Sequence, residues 1–465
     1  MDLSQTSAKE LLNDLSNRSL SAEEVMRATL ARIAAVNDQV NAIVALRDPD
    51  DLLAEARVVD QGENLGPLHG LPIAVKDLVN VAGIASTQGS PLFRDHVPAT
   101  DDLLAARLRA AGAILIGKTN TPEFGLGSHT FNPVYGATRN PYDPALTCGG
   151  SSGGAAVALA TGMLALADGS DMMGSLRNPA AWNNVYGFRP SWGRVPSEPT
   201  GDGFLHQLST LGPMARSPED IGILLDVISD PDPRQPNSVE SSPITPVQTA
   251  DLQGLRIGWL ADWGGAFPME EGILDLCQNA LAVFAEMGAE VEEVPPPFDA
   301  ERIWDSWITL RAWSVAAGLQ PLTDRQAAFK DTAQWELEKG MALSAMDVHH
   351  ASVARTEWFR CVVEVFQRFD VLVLPTVQVW PFAIETPYPA EISGAAMDTY
   401  HRWMQVVTPV SLLGLPALSV PAGFGSGGLP TGMQLVGPKG ADARLLSIGA
   451  VYHAATSWPQ KRPAM

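Results

Sequence analysis

The chain of 465 residues is 46% hydrophobic and only 18% charged, enough to bury a substantial core as one large α/β domain or as two or three folding units. Its 52 acidic residues against 31 lysines and arginines give a formal charge of −21, which repels phosphate backbones and excludes nucleic acid as the expected ligand. Three cysteines, Cys148, Cys277 and Cys361, are too few and too scattered for a disulfide framework or a zinc site.

The start, Met1-Asp2-Leu3-Ser4-Gln5, lacks the basic and then apolar stretches of a secretion signal. The longest weakly polar run, Ala155 to Ala167, is broken by Thr161 and Gly162 and is too short to span a bilayer. The expectation is a soluble, cytoplasmic protein with no membrane partner. Residues 1–60 read as helices. Ser7-Ala8-Lys9-Glu10 and Ser21-Ala22-Glu23-Glu24 both fit a capping box, and Met26, Leu30 and Ile33 then fall on one helical face. From 66 to 216, short apolar runs such as Ile73-Ala74-Val75 and Ala113 to Ile116 alternate with helical stretches, the pattern of buried strands joined by helices. Asp230 to Pro246, rich in Pro, Ser, Asp and Asn, reads as a surface linker. Leu255 to Leu260 reads as a strand, followed by a helix and by a second strand over Glu290 to Val294. Phe298 to about Glu364 is helical and rich in tryptophan. Strand texture returns at Val371 to Leu374 and at Leu418 to Val420. No internal repeat is visible.

Two patterns match familiar motifs by letter and fail on context. Gly112-Ala113-Ile114-Leu115-Ile116-Gly117-Lys118-Thr119 fits the phosphate-loop pattern, but its centre is a buried-strand sequence and Asn120-Thr121-Pro122 follows where a helix should begin. Gly149-Gly150-Ser151-Ser152-Gly153 fits the nucleophile elbow of the α/β-hydrolases. An elbow needs a strand directly before it, and Asn140-Pro141-Tyr142-Asp143-Pro144 is a turn sequence. The late histidines His401 and His453 lie in ordinary surroundings. His349 and His350 are helical neighbours that do not face one another, so they make no metal site.

The informative stretch runs from Cys148 through Gly149-Gly150-Ser151-Ser152-Gly153-Gly154, then from Ala167 through Asp168-Gly169-Ser170-Asp171-Met172-Met173-Gly174-Ser175 to Ala180. Upstream, Gly70-Leu71-Pro72-Ile73-Ala74-Val75-Lys76-Asp77 puts a lysine at the end of a strand in an apolar setting. Burial favours the neutral amine, which can act as a base, and Ser–Lys pairs are an established alternative to Ser–His–Asp in acyl transfer. Each feature alone is as well explained by tight turns and a surface lysine. Together, and with Lys118 to Phe124, Tyr186 to Ser191, Leu413 to Ser419 and Gly428 to Gln434, they resemble the amidase signature family over nearly the whole chain.

The resemblance implies an α/β fold, a large mixed twisted sheet covered by helices on both faces, built as one domain over 1–465. Within it, 66–216 would form the catalytic core, 230–364 a variable substrate-pocket region and 365–465 a return to the core. The family's triad is a Lys, a Ser in a cis peptide and a nucleophilic Ser 24 positions later, the spacing of Ser151 and Ser175 here. It therefore assigns Lys76 as base, Ser151 as the cis serine, Ser175 as nucleophile and Ser152 as a supporting hydroxyl. The backbone N–H groups of Met172, Met173, Gly174 and Ser175 would hold the oxyanion. The chain departs from the family at Met173, where a small residue is usual. A positive φ there would cost a side chain about 1–2 kcal/mol. Asn184 also replaces a frequent Gly. No metal or cofactor is implied.

The implied activity is hydrolysis of a small, uncharged amide, anilides first, with carbamates and esters as further candidates. The partner is the small-molecule substrate, in a monomer or homodimer. The second reading is the glutaminase component of a tRNA-dependent amidotransferase, which shares the triad but which a charge of −21 disfavours. Seven tryptophans, Trp259, Trp263, Trp304, Trp307, Trp313, Trp335 and Trp358, lie between the linker and the last strands. Most are expected to be core, with one or two among Trp304, Trp307 and Trp313 facing Ser175 in the pocket.

Overall fold

Capping boxes start the first two helices of the computed structural model, which describes residues 3–465. Met1 and Asp2, which open the segment read as lacking a secretion signal, lie outside the described residues. Ser7 Oγ accepts the Glu10 N–H while the Glu10 carboxylate accepts the Ser7 N–H, and Ser21 and Glu24 repeat the exchange. Each exchange satisfies backbone donors that the first helical turn leaves free. The helices Ala8–Ser16 and Ala22–Val40 then pack their apolar stripes, including Leu11, Leu15, Met26 and Ile33, into the core.

A small sheet follows, in the order Ile43–Val44, Ile114–Thr119, Pro72–Lys76. Both longer strands are buried along their whole length and run parallel, which is why they read as unbroken apolar runs. All but the first two residues of the phosphate-loop match form the strand Ile114–Thr119. Lys118 is buried there, donates to the Val79 carbonyl and to Ser86 Oγ (3.3 Å), and lies 3.9 Å from the Asp77 carboxylate. It is held inside the fold and does not reach out to a phosphate.

The main sheet has eight strands in the order Glu290–Glu293, Arg256–Trp259, Val371–Pro375, Pro430–Val436, Ala417–Phe424, Tyr186–Arg189, Thr210–Ala215, Leu166–Asp171. The first three are parallel and every later pairing is antiparallel, so the sheet is mixed. Alternation along Val371–Pro375 shows two covered faces. Val371 and Val373 enter one core, with helices Pro218–Ile228, Ile273–Glu286 and Asp442–Thr456. Leu372 and Leu374 enter the other, with Ala300–Leu319, Ala345–Arg368 and Thr408–Leu413. Residues 230–246 lead from helix Pro218–Ile228 towards strand Arg256–Trp259 with neither helix nor strand, as their composition predicts. Among the described residues no helix is long and apolar enough to cross a membrane.

Candidate active site

The strand Pro72–Lys76 carries Ile73, Ala74 and Val75 into the core and ends on Lys76, whose amine is fully buried. Its Nζ donates to Ser151 Oγ (2.8 Å), Ser152 Oγ (2.8 Å) and Ser170 Oγ (3.0 Å). Burial pushes its pKa from the ordinary 10.5 down to about 7, against the opposing pull of the Asp168 and Asp171 carboxylates. Three oxygen acceptors suit the ammonium form. The neutral amine has two N–H bonds and a lone pair, so one hydroxyl must turn and donate to it.

Ser151 and Ser152 end the glycine turn before helix Gly153–Ala160, and the Gly150–Ser151 bond is cis. Ser128 Oγ donates to the Gly150 carbonyl (2.6 Å), and Thr130 Oγ1 to that of Gly149 (2.7 Å). Upstream, residues 141–150 form turns and isolated bridges, without the strand an elbow requires. Of the late histidines, His401 is sealed in the core against Tyr400 and His453 contacts Tyr186.

Ser175 sits on the turn after strand Leu166–Asp171 and ahead of helix Arg177–Trp182. The Ser152 N–H donates to the Ser175 carbonyl (3.1 Å), tying the two serine turns together. The positive φ of this turn falls on Gly174 (79°), where a Cβ would meet Asn178 Oδ1 at 2.6 Å. Met173 stays out of that region, so the strain considered for its side chain does not arise. Asn184 does have a positive φ (55°), and its side chain donates to the Trp458 carbonyl (2.7 Å).

Asp171 holds the turn. Its carboxylate accepts the N–H of Gly174 (2.8 Å) and Leu176 (3.2 Å), two bonds from Arg177 (3.0 Å each) and one from Arg189 (3.2 Å). All three side chains are fully buried, and the two guanidiniums hold the Asp171 carboxyl well below the usual carboxylate range against the cost of burial. Arg177 reaches on to Gln434 Oε1 (2.5 Å) and Ser411 Oγ (2.6 Å). Gly174 therefore drops out of the four N–H groups expected to face an oxyanion, because its donor is committed to Asp171. Those of Met172, Met173 and Ser175 remain. Sequence reading gave Asp171, Arg177 and Gln434 no role, although two arginines and one aspartate in an apolar stretch must pair somewhere. Replacing Asp171 by Ala leaves two buried guanidiniums uncompensated, and the folding free energy should drop by about 3–5 kcal/mol. Denaturant unfolding checks this, and a loss below about 1 kcal/mol would contradict the clamp.

Ser151 and Ser175 open on a cavity of about 260 Å³ whose walls include Leu78, Phe124, Leu126, Met173, Val315 and Leu319. Arg311 also reaches it, but its charge is spent. Its guanidinium donates to Glu336 Oε1 (2.6 Å) and Tyr400 Oη (2.8 Å), and its remaining edge meets only Met172 Sδ (3.3 Å). Trp304, Trp307 and Trp313 do not line this cavity. Trp304 and Trp307 share a helical face with Arg311, but they sit about two turns and one turn earlier on Ala300–Leu319, roughly 10 and 6 Å along the axis. There they are sealed in the core. Trp313 points elsewhere and lies against His206, ring centroids 4.2 Å apart.

A family model described as Amidase matches residues 24–446. An acylamidase of Rhodococcus erythropolis is 33% identical, over 98% of this chain and 97% of its own length. A glutamyl-tRNA(Gln) amidotransferase subunit from Chloroflexus aurantiacus is 34% identical, over 96% of each chain. A solved bacterial aryl acylamidase of the amidase signature family superposes with a TM-score of 0.91 at 30% identity, covering 98% of this chain and 99% of that one.

Proposed function

We propose that this chain, which belongs to the amidase family and is an amide hydrolase, cleaves uncharged hydrophobic amides, anilides first, through an acyl-enzyme on Ser175. The observation that carries this reading is Lys76: a buried amine near its neutral range, in contact with three hydroxyls, of which those of Ser151 and Ser170 lie at the edge of a largely apolar cavity. In the proposed turnover, Ser151 passes its proton to neutral Lys76 as it takes the proton of Ser175. Ser175 Oγ then bonds to the carbonyl carbon. The oxyanion faces the N–H groups of Met172, Met173 and Ser175, the donors aimed where charge develops. Collapse breaks the C–N bond as the proton returns through Ser151 to the leaving amine, and water then releases the acid from Ser175. Ser152 and Ser170 hold Nζ in place during the exchange.

The apolar walls support the choice of substrate, and so do the acylamidase relatives. Carbamates and esters present the same carbonyl geometry to Ser175. The similarity to the glutamyl-tRNA(Gln) amidotransferase relatives favours glutamine as a second reading. Arg311 argues against it, because Glu336 already balances its charge, and among the described residues lining the cavity there is no other cation for an amino-acid carboxylate. An anilide should exceed free glutamine in kcat/KM by about a hundredfold or more, the scale of an unpaired buried charge. Assays of arylamine and ammonia release test this, and faster glutamine turnover would replace this reading by the second.

A further inference from the structure

The cavity beside Ser175 borders another. Ser209 and Ser314 belong both to its walls and to those of a second cavity, of about 380 Å³. The first alone falls short of the roughly 300–1,000 Å³ of pockets that enclose drug-sized ligands, and the two together fall within it. We propose that the second cavity is a subsite for one arm of the substrate, an uncharged, elongated substituent with an aromatic end that passes between Ser209 and Ser314. The proposal rests on the reading of Ser175 as the group that attacks a hydrophobic amide.

The walls set the chemistry of that arm. Trp192, Phe204, His206 and Leu208 supply aromatic and aliphatic surface. Trp313, absent from the first cavity, backs the His206 ring from behind. Three charged side chains also reach the second cavity, and Arg234 alone of the three has an oppositely charged partner. Glu198 accepts the Leu103 N–H (2.6 Å), Asp202 accepts those of Phe204 (3.1 Å) and Leu205 (2.8 Å), and Arg234 pairs with Asp232 (2.7 Å). Glu198 and Asp202 keep their charge, because neutral N–H groups do not balance it, so an anionic arm would be repelled, whereas a ring would gain apolar contact.

The roof is a segment over 197–209 with neither helix nor strand. The linker read from composition holds it: Gln235 donates to the Ser197 carbonyl (2.8 Å) and Asn237 to that of Gly203 (2.9 Å). Phe204 on this roof is 69% exposed, so an aromatic arm beneath it would cover surface now left to water.

Binding to Ser175→Ala protein tests the subsite without turnover. Calorimetry compares acetanilide with N-(biphenyl-4-yl)acetamide, elongated on the amine side, and with 4-phenylbenzamide, elongated on the acyl side. One elongated amide should bind about tenfold or more tightly than acetanilide, and which one does so assigns the arm. Ser314→Phe, which plugs the passage, should bring that ratio close to one, and His206→Ala should lower it several-fold. The His206 variant stands in if the plugged protein fails to fold. A ratio near one without either change, or a ratio that neither variant lowers, overturns the proposal. Acetanilide turnover by the unaltered chain is read separately. Its absence would sink the anilide reading, while the binding ratio would still decide the subsite.

Discussion

Ser175→Ala should lower the turnover of an anilide by about ten-thousandfold or more and leave the fold unchanged. The side chain is small and lines the cavity, so its loss opens little space. The backbone turn is held from elsewhere, by Asp171 through Gly174 and Leu176. Groups that act as one nucleophilic unit fail together, and what remains is substrate binding and the N–H groups of the turn. The measurement is kcat for a single anilide, with thermal unfolding as the control for folding. A loss smaller than about a hundredfold would point to Ser151 as the nucleophile and return the elbow reading to consideration.

Lys76→Ala should be comparably damaging, and the unaltered enzyme should carry the signature of Lys76 in its pH profile. Burial lowers this amine to about 7, so it is neutral above that pH and protonated below it. In the proposed turnover the neutral form is the base. Activity should therefore be highest on the alkaline side and fall towards tenfold per pH unit below about 7. Stability moves the same way. The folded chain gives up this proton at about 7 while an unfolded lysine keeps it until near 10.5, so from this group stability rises between those values and the cost of the buried charge is felt in full below about 7. Rates of kcat/KM across acid to alkaline pH test the assignment. A flat profile from acid to neutral pH would remove Lys76 as the base.

Short-range features of this chain were legible in the order of its residues. A serine and a glutamate three positions apart are enough to write a capping box, because both partners lie within one helical turn. Ile73-Ala74-Val75 and Val371 to Leu374 are enough to write buried strands, because an unbroken β-branched and aliphatic run has few other places to go. Lys76, Ser151, Ser152 and Ser175 were identified from motif order; the fold brings the Lys76 amine to the hydroxyls of Ser151 and Ser152, and sets Ser151 and Ser175 in the wall of one cavity. Tertiary structure alone decided which N–H groups stay free on the Ser175 turn. That depends on Asp171 choosing Gly174 and Leu176 while Arg177, anchored on Gln434 and Ser411 from far along the chain, holds its other side. It also decided the tryptophans. Trp304 and Trp307 share a helical face with Arg311, but the height at which that helix crosses the site is set by its packing. Ser175 thus shares its cavity with Arg311 and Val315, while the indoles stay in the core a turn or two away.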